Sequence, residues 1–313
     1  MNTRRDLLRR FTIAVVVAAA AVAAVPAQST NKRIVLIAGR PSHPPGMHEF
    51  RAGCLLFQKA LASVPGLTVD VYDMGWPAKT GDDGARVDDN AALEKADAIL
   101  VYADGGSRHP AIEPQRLKLL NTLAAKGVGL GFAHYGVEVP AGEPGDTFHR
   151  FIGGFYETLY SVNPMWTPKF QNLPDHPVTR GVRPFATHDE WYFNMRWPTD
   201  PAMKGRITHI LVDTPSDEVR KGPYVHPKGP YDHIIAASGR EESMMWVYER
   251  PDGGRGMGFT GGHTHANWGD PNQRKVFLNA LLWLAKMDVP KNGVEDSITA
   301  EDLTKNLDDK KKR

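Results

Sequence analysis

Short apolar runs alternate with helical patterns through the first half of the chain. The runs are rich in β-branched residues and predict buried strands at 32–39, 67–74, 96–104 and 128–134. Apolar residues recur at helical spacing in 47–63 and again in 113–127. Strands that alternate with helices at this spacing predict right-handed βαβ units, and therefore a parallel sheet.

The second half of the chain continues the sheet after an irregular stretch. Residues 137–200 are rich in Pro and Trp, and we expect them to form a lobe packed over the carboxyl edge of the sheet. Three further strands are predicted at 206–214, 243–250 and 254–262. The last two flank a Pro-Asp-Gly-Gly turn, which predicts a hairpin. A closing helix is predicted at 271–286, and a capping-box pattern from Thr299 predicts a short final helix.

The first 27 residues have the composition of an export signal. A basic start with Arg4 and Arg5 precedes an Ala- and Val-rich run and then small residues, which is typical of a twin-arginine secretory signal cleaved after Ala27. This pattern predicts an exported protein, periplasmic or extracellular. An uncleaved membrane anchor is the alternative. Residues 32–286 then form the folded domain, and 287–313 form a C-terminal tail.

Composition narrows the class of protein. The single cysteine, Cys54, lies in a helical pattern, which predicts a buried small side chain and a fold without disulfides. The net charge is +2 and the one basic block is 310–313, which argues against nucleic acid as a partner. Twelve histidines, seven tryptophans and nine tyrosines suit a polar, aromatic-lined pocket of the kind that binds sugars.

Chemically capable side chains follow the predicted strands. In a parallel sheet these positions meet at one edge, where ligands bind. The set comprises His43, His48, Glu49, Asp104, Ser107, His109, His134, Tyr135, His263 and His265, with His188, Asp189, Glu190 and Trp191 from the lobe. Each histidine taken alone is most simply a structural residue, but their convergence at one edge predicts a shared site. We expect at least four of His43, His48, His134, His188, His263 and His265 to share a pocket with Glu49 or Glu190.

The stretch GFTGGHTHANW, residues 258–268, places two glycines just after the last strand. The glycines let the backbone turn sharply at the rim of the pocket. Residues two apart on a turned loop need not point the same way. We therefore expect His263 inside the site and His265 further out.

Four motifs resemble the ThuA-like, or trehalose-utilisation, family over roughly 32–286. They are SHPPGMHE from Ser42, GFAHYG from Gly131, HPVTRGV followed by HDEWY, and GFTGGHTHANW. The resemblance implies an α/β fold: a flavodoxin-like, class I glutamine amidotransferase-like three-layer sandwich with a mostly parallel central sheet. It also implies a role in the catabolism of disaccharides or 3-keto sugars.

The chain departs from the amidotransferases at the turn after the fourth strand. Those enzymes carry a nucleophilic Cys there between glycines, whereas this chain carries His134. An imidazole cannot replace the thiolate, because its acyl adduct is far more labile, and Cys54 lies in another element. Glutaminase activity is therefore not expected.

Two chemistries suit a set of imidazoles and carboxylates. In the first, a divalent ion such as Zn²⁺ is held by several of the six histidines and polarises a carbonyl or activates water. In the second, His134, His263, Glu49 and Glu190 act as acids and bases near neutral pH. Either arrangement can abstract the acidic proton beside the carbonyl of a 3-keto glycoside. The metal hypothesis is only slightly favoured, because the chain has neither HExxH nor paired CxxC.

The expected partner is a small carbohydrate. Substrate contacts are predicted from Asp104, Ser107, Tyr135, Trp191, Asn267 and Trp268. The main alternative is a non-catalytic carbohydrate-binding protein, in which sugar rings stack on Trp166, Trp191, Trp197 and Trp268. A two-carboxylate glycosidase using Glu49, Asp189 or Glu190 comes third, because no sequence feature sets the separation that this chemistry needs.

Overall fold

Seven strands form a central sheet in the computed structural model, which describes residues 31–310. The predicted export signal lies outside the described residues. The strands are β1 (Lys32–Ala38), β2 (Leu67–Tyr72), β3 (Ala98–Tyr102), β4 (Gly129–Ala133), β5 (Ile207–Asp213), β6 (Glu242–Glu249) and β7 (Arg255–Phe259). Across the sheet they lie in the order β5-β6-β7-β4-β3-β1-β2.

All strands of this sheet except β6 run in one direction. Neighbours from β2 across to β7 pair in parallel. Strand β6 is antiparallel to both β5 and β7, so β5 shares the common direction. The predicted mostly parallel sheet and the predicted β6–β7 hairpin are both confirmed.

The sheet is the middle of three layers because its strands are buried on both faces. In β1, Ile34 and Leu36 belong to one hydrophobic core, while Val35 and Ile37 belong to the other. Helices α1 and α7 cover the first face, and α2 and α3 cover the second. The helices are α1 (Phe50–Leu61), α2 (Pro114–Ala125), α3 (Glu143–Ile152), α4 (Pro201–Lys204), α5 (Asp217–Lys221), α6 (Asp232–Ile235) and α7 (Pro271–Leu284). The predicted three-layer α/β sandwich is confirmed.

The segment 137–200, for which the sequence predicts an irregular lobe, begins with the regular helix α3. Its short apolar stripe of Phe148, Phe151 and Ile152 packs under the sheet, and a run of this length is too short to stand out in the sequence. The remainder is irregular and contains two small antiparallel pairs, Met165–Trp166 with Asp189–Glu190 and Lys169–Phe170 with Phe185–Ala186. A third pair, Ala78–Thr80 with Arg86–Asp88, lies between β2 and β3.

The tail after α7 packs against the domain. Its Asp296 accepts two hydrogen bonds from Arg274. Its Asp302 forms an ion pair with Lys59 of α1, with 2.6 Å between Oδ1 and Nζ. The predicted final helix is a single 3₁₀ turn, Asp302–Thr304. Within residues 31–310, none of the helices has the length and apolar character needed to cross a membrane.

Candidate active site

Three imidazoles and one carboxylate converge at the carboxyl edge of the sheet. The group consists of His48, His134, His263 and Glu190, all buried, and their facing ligand atoms lie within 4.8 Å of one another. The Nε2 atom of His48 lies 3.0 Å from Nε2 of His134 and 2.9 Å from Nδ1 of His263. The Oε2 atom of Glu190 lies 2.8 Å from the same Nδ1. We refer to these four residues as the His/Glu cluster.

Each member of the His/Glu cluster comes from a different part of the fold. His48 lies in the loop before α1, His134 opens the turn after β4, and His263 follows β7. Glu190 is supplied by the lobe. His48 and His134 both have a left-handed backbone, with φ of 49° and 53°. Such a conformation is uncommon for residues other than glycine and is often retained at functional sites.

Hydrogen bonds on the outer side of two rings fix which nitrogen faces inward. Nδ1 of His134 lies 3.0 Å from the carbonyl oxygen of Thr260, to which only an N–H can donate. Nδ1 of His48 lies 2.8 Å from Oδ1 of Asp104, which accepts in the same way. In the neutral rings, both Nε2 atoms then carry lone pairs that face each other. The Tyr192 hydroxyl, 3.2 Å away, can donate to Nε2 of His134.

Burial keeps these two rings neutral. It lowers the pKa of His134 and of His48 well below the ordinary value for histidine, and the neighbouring imidazoles lower it further. Neutral imidazoles with inward lone pairs, oriented by a carboxylate and a backbone carbonyl, are the usual ligands of Zn²⁺ and similar ions. The His/Glu cluster could therefore hold a metal ion.

Two members of the His/Glu cluster, His48 and Glu190, line a cavity of about 650 Å³. Ser107, Tyr135, Glu138, Asn163 and Tyr192 also line this cavity. That volume is within the usual range for small-molecule sites, roughly 300–1,000 Å³.

Glu138 is a cavity residue that sequence reasoning missed. Burial raises its pKa to about 7, although a hydrogen bond from the Thr158 hydroxyl opposes the shift. A carboxyl group with this pKa can both donate and accept a proton near neutral pH. Glu138 follows His134 by four residues, so its place just after β4 could have marked it as a candidate at the carboxyl edge of the sheet.

The structure brings together four of the six predicted histidines. His43 is partly exposed, lines the cavity and stacks on His48, with 3.6 Å between the ring centroids. His188 is exposed and lies 2.9 Å from the Thr167 hydroxyl, away from the His/Glu cluster. His265 is buried outside the His/Glu cluster. As expected, His263 rather than His265 faces the site.

Glu49, predicted as a catalytic acid or base, is occupied by backbone and tail contacts. Its carboxylate accepts hydrogen bonds from the amides of Gly46 and Asp308 and lies 3.2 Å from Nζ of Lys310. The same ammonium group donates to the carbonyl oxygens of Met47 and His48. Glu49 thus holds the loop that carries His48, and we name this set of contacts the tail clamp.

Asp189, next to Glu190, holds the loop after β7 that contains Gly261 and Gly262, which we call the glycine loop. Its carboxylate accepts hydrogen bonds from the amides of Gly262 and Thr264, at 2.8 and 2.9 Å, and it is fully buried. These contacts make Asp189 a residue that positions the loop carrying His263.

The predicted substrate contacts are divided between cavity and core. Ser107 and Tyr135 line the cavity. Asp104 does not line it but forms a hydrogen bond with His48, which does. Trp191 and Trp268 are fully buried in the core, so neither presents a face to a sugar. The amide of Asn267 donates to the carbonyl oxygen of His188 outside the cavity.

The three-layer sandwich and a His/Glu cluster at the edge of its sheet define the class: an α/β domain with a polar active-site-like cavity. The sequence pattern of the ThuA family, described as trehalose utilisation, matches residues 59–284. The chain therefore belongs to the ThuA (trehalose utilisation) family. No curated protein matches the chain.

Two solved structures of ThuA-like proteins agree with this fold. A ThuA-like protein from Bacteroides uniformis is similar with a TM-score of 0.54 and 15% identity, over 83% of this chain and 94% of that one. A ThuA-like protein from Parabacteroides merdae gives a TM-score of 0.52 and 14% identity, over 87% and 98%. A glutamine amidotransferase from Thermotoga maritima gives a TM-score of 0.38 and 11% identity, over 82% and 90%.

Proposed function

We propose that this protein is a metal-assisted carbohydrate-active enzyme that acts on 3-keto glycosides or related disaccharides. The observation that carries the proposal is the convergence of three inward imidazole nitrogens and the Glu190 carboxylate next to a ligand-sized cavity, which His48 and Glu190 line. Facing lone pairs at this spacing repel each other unless a cation or a proton lies between them. The first 27 residues support export as part of the same proposal.

The residues of the His/Glu cluster fit a Zn²⁺-like ion by donor type and by orientation. A bound ion would supply a Lewis acid that polarises a substrate carbonyl. His48, His134, His263 and Glu190 would hold it, and Asp104 would keep His48 in the required tautomer.

Proton transfer falls to Glu138. Its carboxyl group lines the same cavity, and its pKa of about 7 lets it remove the proton beside a sugar carbonyl and return one to a leaving oxygen. The Thr158 hydroxyl, 2.6 Å from Oε1, orients the carboxyl group. The Tyr135 hydroxyl is a further cavity donor for a sugar oxygen.

The charge of the cavity favours an uncharged substrate. Its lining includes Glu138, Glu157 and Glu190 but neither Lys nor Arg among the described residues. A phosphorylated or carboxylated sugar would meet like charge there. Neutral hydroxyl groups would find partners in Ser107 and Asn163.

The binding-only alternative loses much of its basis. Of the four tryptophans expected to stack on sugars, Trp166, Trp191 and Trp268 are buried in the core. Two of the three carboxylates proposed for a glycosidase already have structural partners, because Glu49 belongs to the tail clamp and Asp189 binds the amides of Gly262 and Thr264. Metal-free acid–base catalysis by histidine and glutamate remains as the second candidate mechanism, supported by Glu138.

Metal analysis of protein purified without a His tag tests the metal, with turnover assays on 3-keto and ordinary disaccharides run in parallel. We expect about one equivalent of metal, loss of at least 100-fold in metal affinity in Glu190→Gln and His134→Ala, and loss of turnover in both. His188→Ala is the matched control, because this exposed histidine lies outside the His/Glu cluster.

Each contrary result has a distinct meaning. Substoichiometric metal with activity that survives chelation would remove the metal and leave acid–base catalysis. Full activity in both cluster variants would overturn the site. Measurable sugar binding without turnover of any keto sugar would favour the binding-only alternative.

A further inference from the structure

A second cavity, of about 640 Å³, lies between the lobe and the edge of the sheet formed by β5 and β6. It is as large as the candidate active site and shares no lining residue with it. Its wall includes Trp197 and Asn194 of the lobe, His209 of β5, and Arg240 and Glu241 just before β6.

Buried charges hold this wall in place. Glu242 lies 3.0 Å from fully buried Arg220 and 2.7 Å from Arg240. Its other oxygen accepts from the amide of Asn194, whose side-chain oxygen accepts from Arg240. Asn194 has a left-handed backbone, with φ of 59°. A buried charged network and a strained residue are both costly to maintain, and such features concentrate at binding sites.

Several polar groups of the second cavity are free to meet a ligand. Within residues 31–310, the side chains of Trp197, His209, Asn172 and Glu241 form no hydrogen bond to another residue. Trp197 is half-buried, the exception among the four tryptophans considered for sugar stacking. An indole with a free N–H, a planar amide and a carboxylate together match the alternating apolar faces and hydroxyl groups of a sugar.

The charges of the second cavity balance. Arg240 of the wall and the buried Arg220 behind it, which pairs with Glu242, match the charges of Glu241 and Glu242, so the wall has no excess positive charge to attract an anion. We propose that the second cavity binds a neutral oligosaccharide, at a site separate from the candidate active site. The site would retain a longer saccharide while shorter pieces reach the His/Glu cluster. This retaining role, but not the binding itself, rests on the proposed function.

Binding of defined sugars to the full chain tests the proposal. The probes are trehalose, maltohexaose and cellohexaose, with glucose 6-phosphate as the anionic comparison, and binding is measured by saturation-transfer NMR and affinity electrophoresis. We expect at least one neutral hexasaccharide to bind. We expect its affinity to fall at least tenfold in Trp197→Ala and in the double variant Asn172→Ala/Glu241→Ala, and to be unchanged in Glu190→Gln.

The double variant keeps the test decisive if Trp197→Ala fails to fold, because Asn172 and Glu241 are exposed. Binding that is lost in Glu190→Gln but kept in the double variant would place the sugar in the first cavity and overturn the proposal. Tighter binding of glucose 6-phosphate, or no binding of any neutral sugar, would also overturn it. Absence of metal or turnover would count against the proposed function alone, because this assay requires neither.

Discussion

Three histidines around the cavity adopt a backbone conformation that their side chains disfavour. His43, His48 and His134 have φ of 60°, 49° and 53°. Each such residue costs on the order of 1–3 kcal/mol, so the surroundings must hold it in place. For His134 the constraint is the bond to the Thr260 carbonyl, and for His48 it is the bond to Asp104 together with the tail clamp.

His109 gives a residue-level prediction about pH. Its Nε2–H donates to the Gly136 carbonyl and its Nδ1 accepts from the Ala111 amide, a pattern that only the neutral ring can make. Burial lowers its pKa to about 4, against 6.5 for an ordinary histidine. Between these values the unfolded chain binds more protons than the folded one. The free energy of unfolding should therefore fall as pH decreases from 6.5 to 4, by up to about 3 kcal/mol from this residue.

Urea denaturation of wild type and His109→Gln across pH 4–7.5 measures this contribution. The variant should be less stable above pH 6.5 but show a shallower fall below it. Parallel curves for the two proteins over the whole range would contradict the assignment.

The sequence predicted correctly those site residues that directly follow strands of the sheet. His48, His134 and His263 each follow a strand that ends at one edge, so their convergence was predictable. The sequence could not show that His188 is exposed and Asp189 fully buried, because their burial depends on how an irregular lobe packs. Glu138 was missed for a similar reason, since its pKa depends on burial that the sequence does not specify.

At the scale of elements, the two glycines after β7 bring His263 to the site. Gly262 has φ of 97°, a conformation that favours glycine. A Cβ on Gly261 would lie 2.4 Å from Cη2 of Trp191, which is fully buried. The turn thus depends on close approach to the core as well as on backbone freedom.

Gly261→Ala should therefore destabilise the fold by about 1–3 kcal/mol, because Trp191 has no room to retreat. Chemical denaturation measures the change, and metal titration reports whether His263 has moved. Gly205→Ala is the control: its Cβ would come no closer than 3.4 Å to Pro201 and its φ is −64°. Equal effects of the two substitutions would contradict this account.

Element prediction succeeded where periodicity was strong. The buried strands and the long helices α1, α2 and α7 were expected within a few residues of their observed bounds. Helix α3 was missed because its ten residues carry a short apolar stripe in a Pro-rich region. The final helix was overestimated, since Asp302 accepts the Thr299 contacts of a cap but the turn continues only to Thr304.

At the scale of the whole molecule, the tail clamp joins the end of the described chain to the site. Lys310→Met would leave the buried Glu49 carboxylate without its cation and release two carbonyl contacts of the loop that carries His48. We expect a loss of about 3–5 kcal/mol in the free energy of unfolding and weaker metal binding.

Denaturation and metal titration of Lys310→Met, with Lys310→Arg as the conservative variant, measure both effects. Lys305→Met is the matched control, because this tail lysine is half exposed and its ion pair with Glu301 is a surface one. A change no larger than that of the control would show that the tail clamp contributes nothing to the site.

The tail clamp also sets the order in which the molecule can be completed during synthesis. Residues 302–310 leave the ribosome after every strand of the sheet and after the helices of both outer layers. The sandwich can therefore fold before the amide of Asp308 and the ammonium of Lys310 reach Glu49. Until they do, the loop that carries His48 lacks four of its polar contacts, so a nascent chain acquires its fold first and its fully formed cluster afterwards.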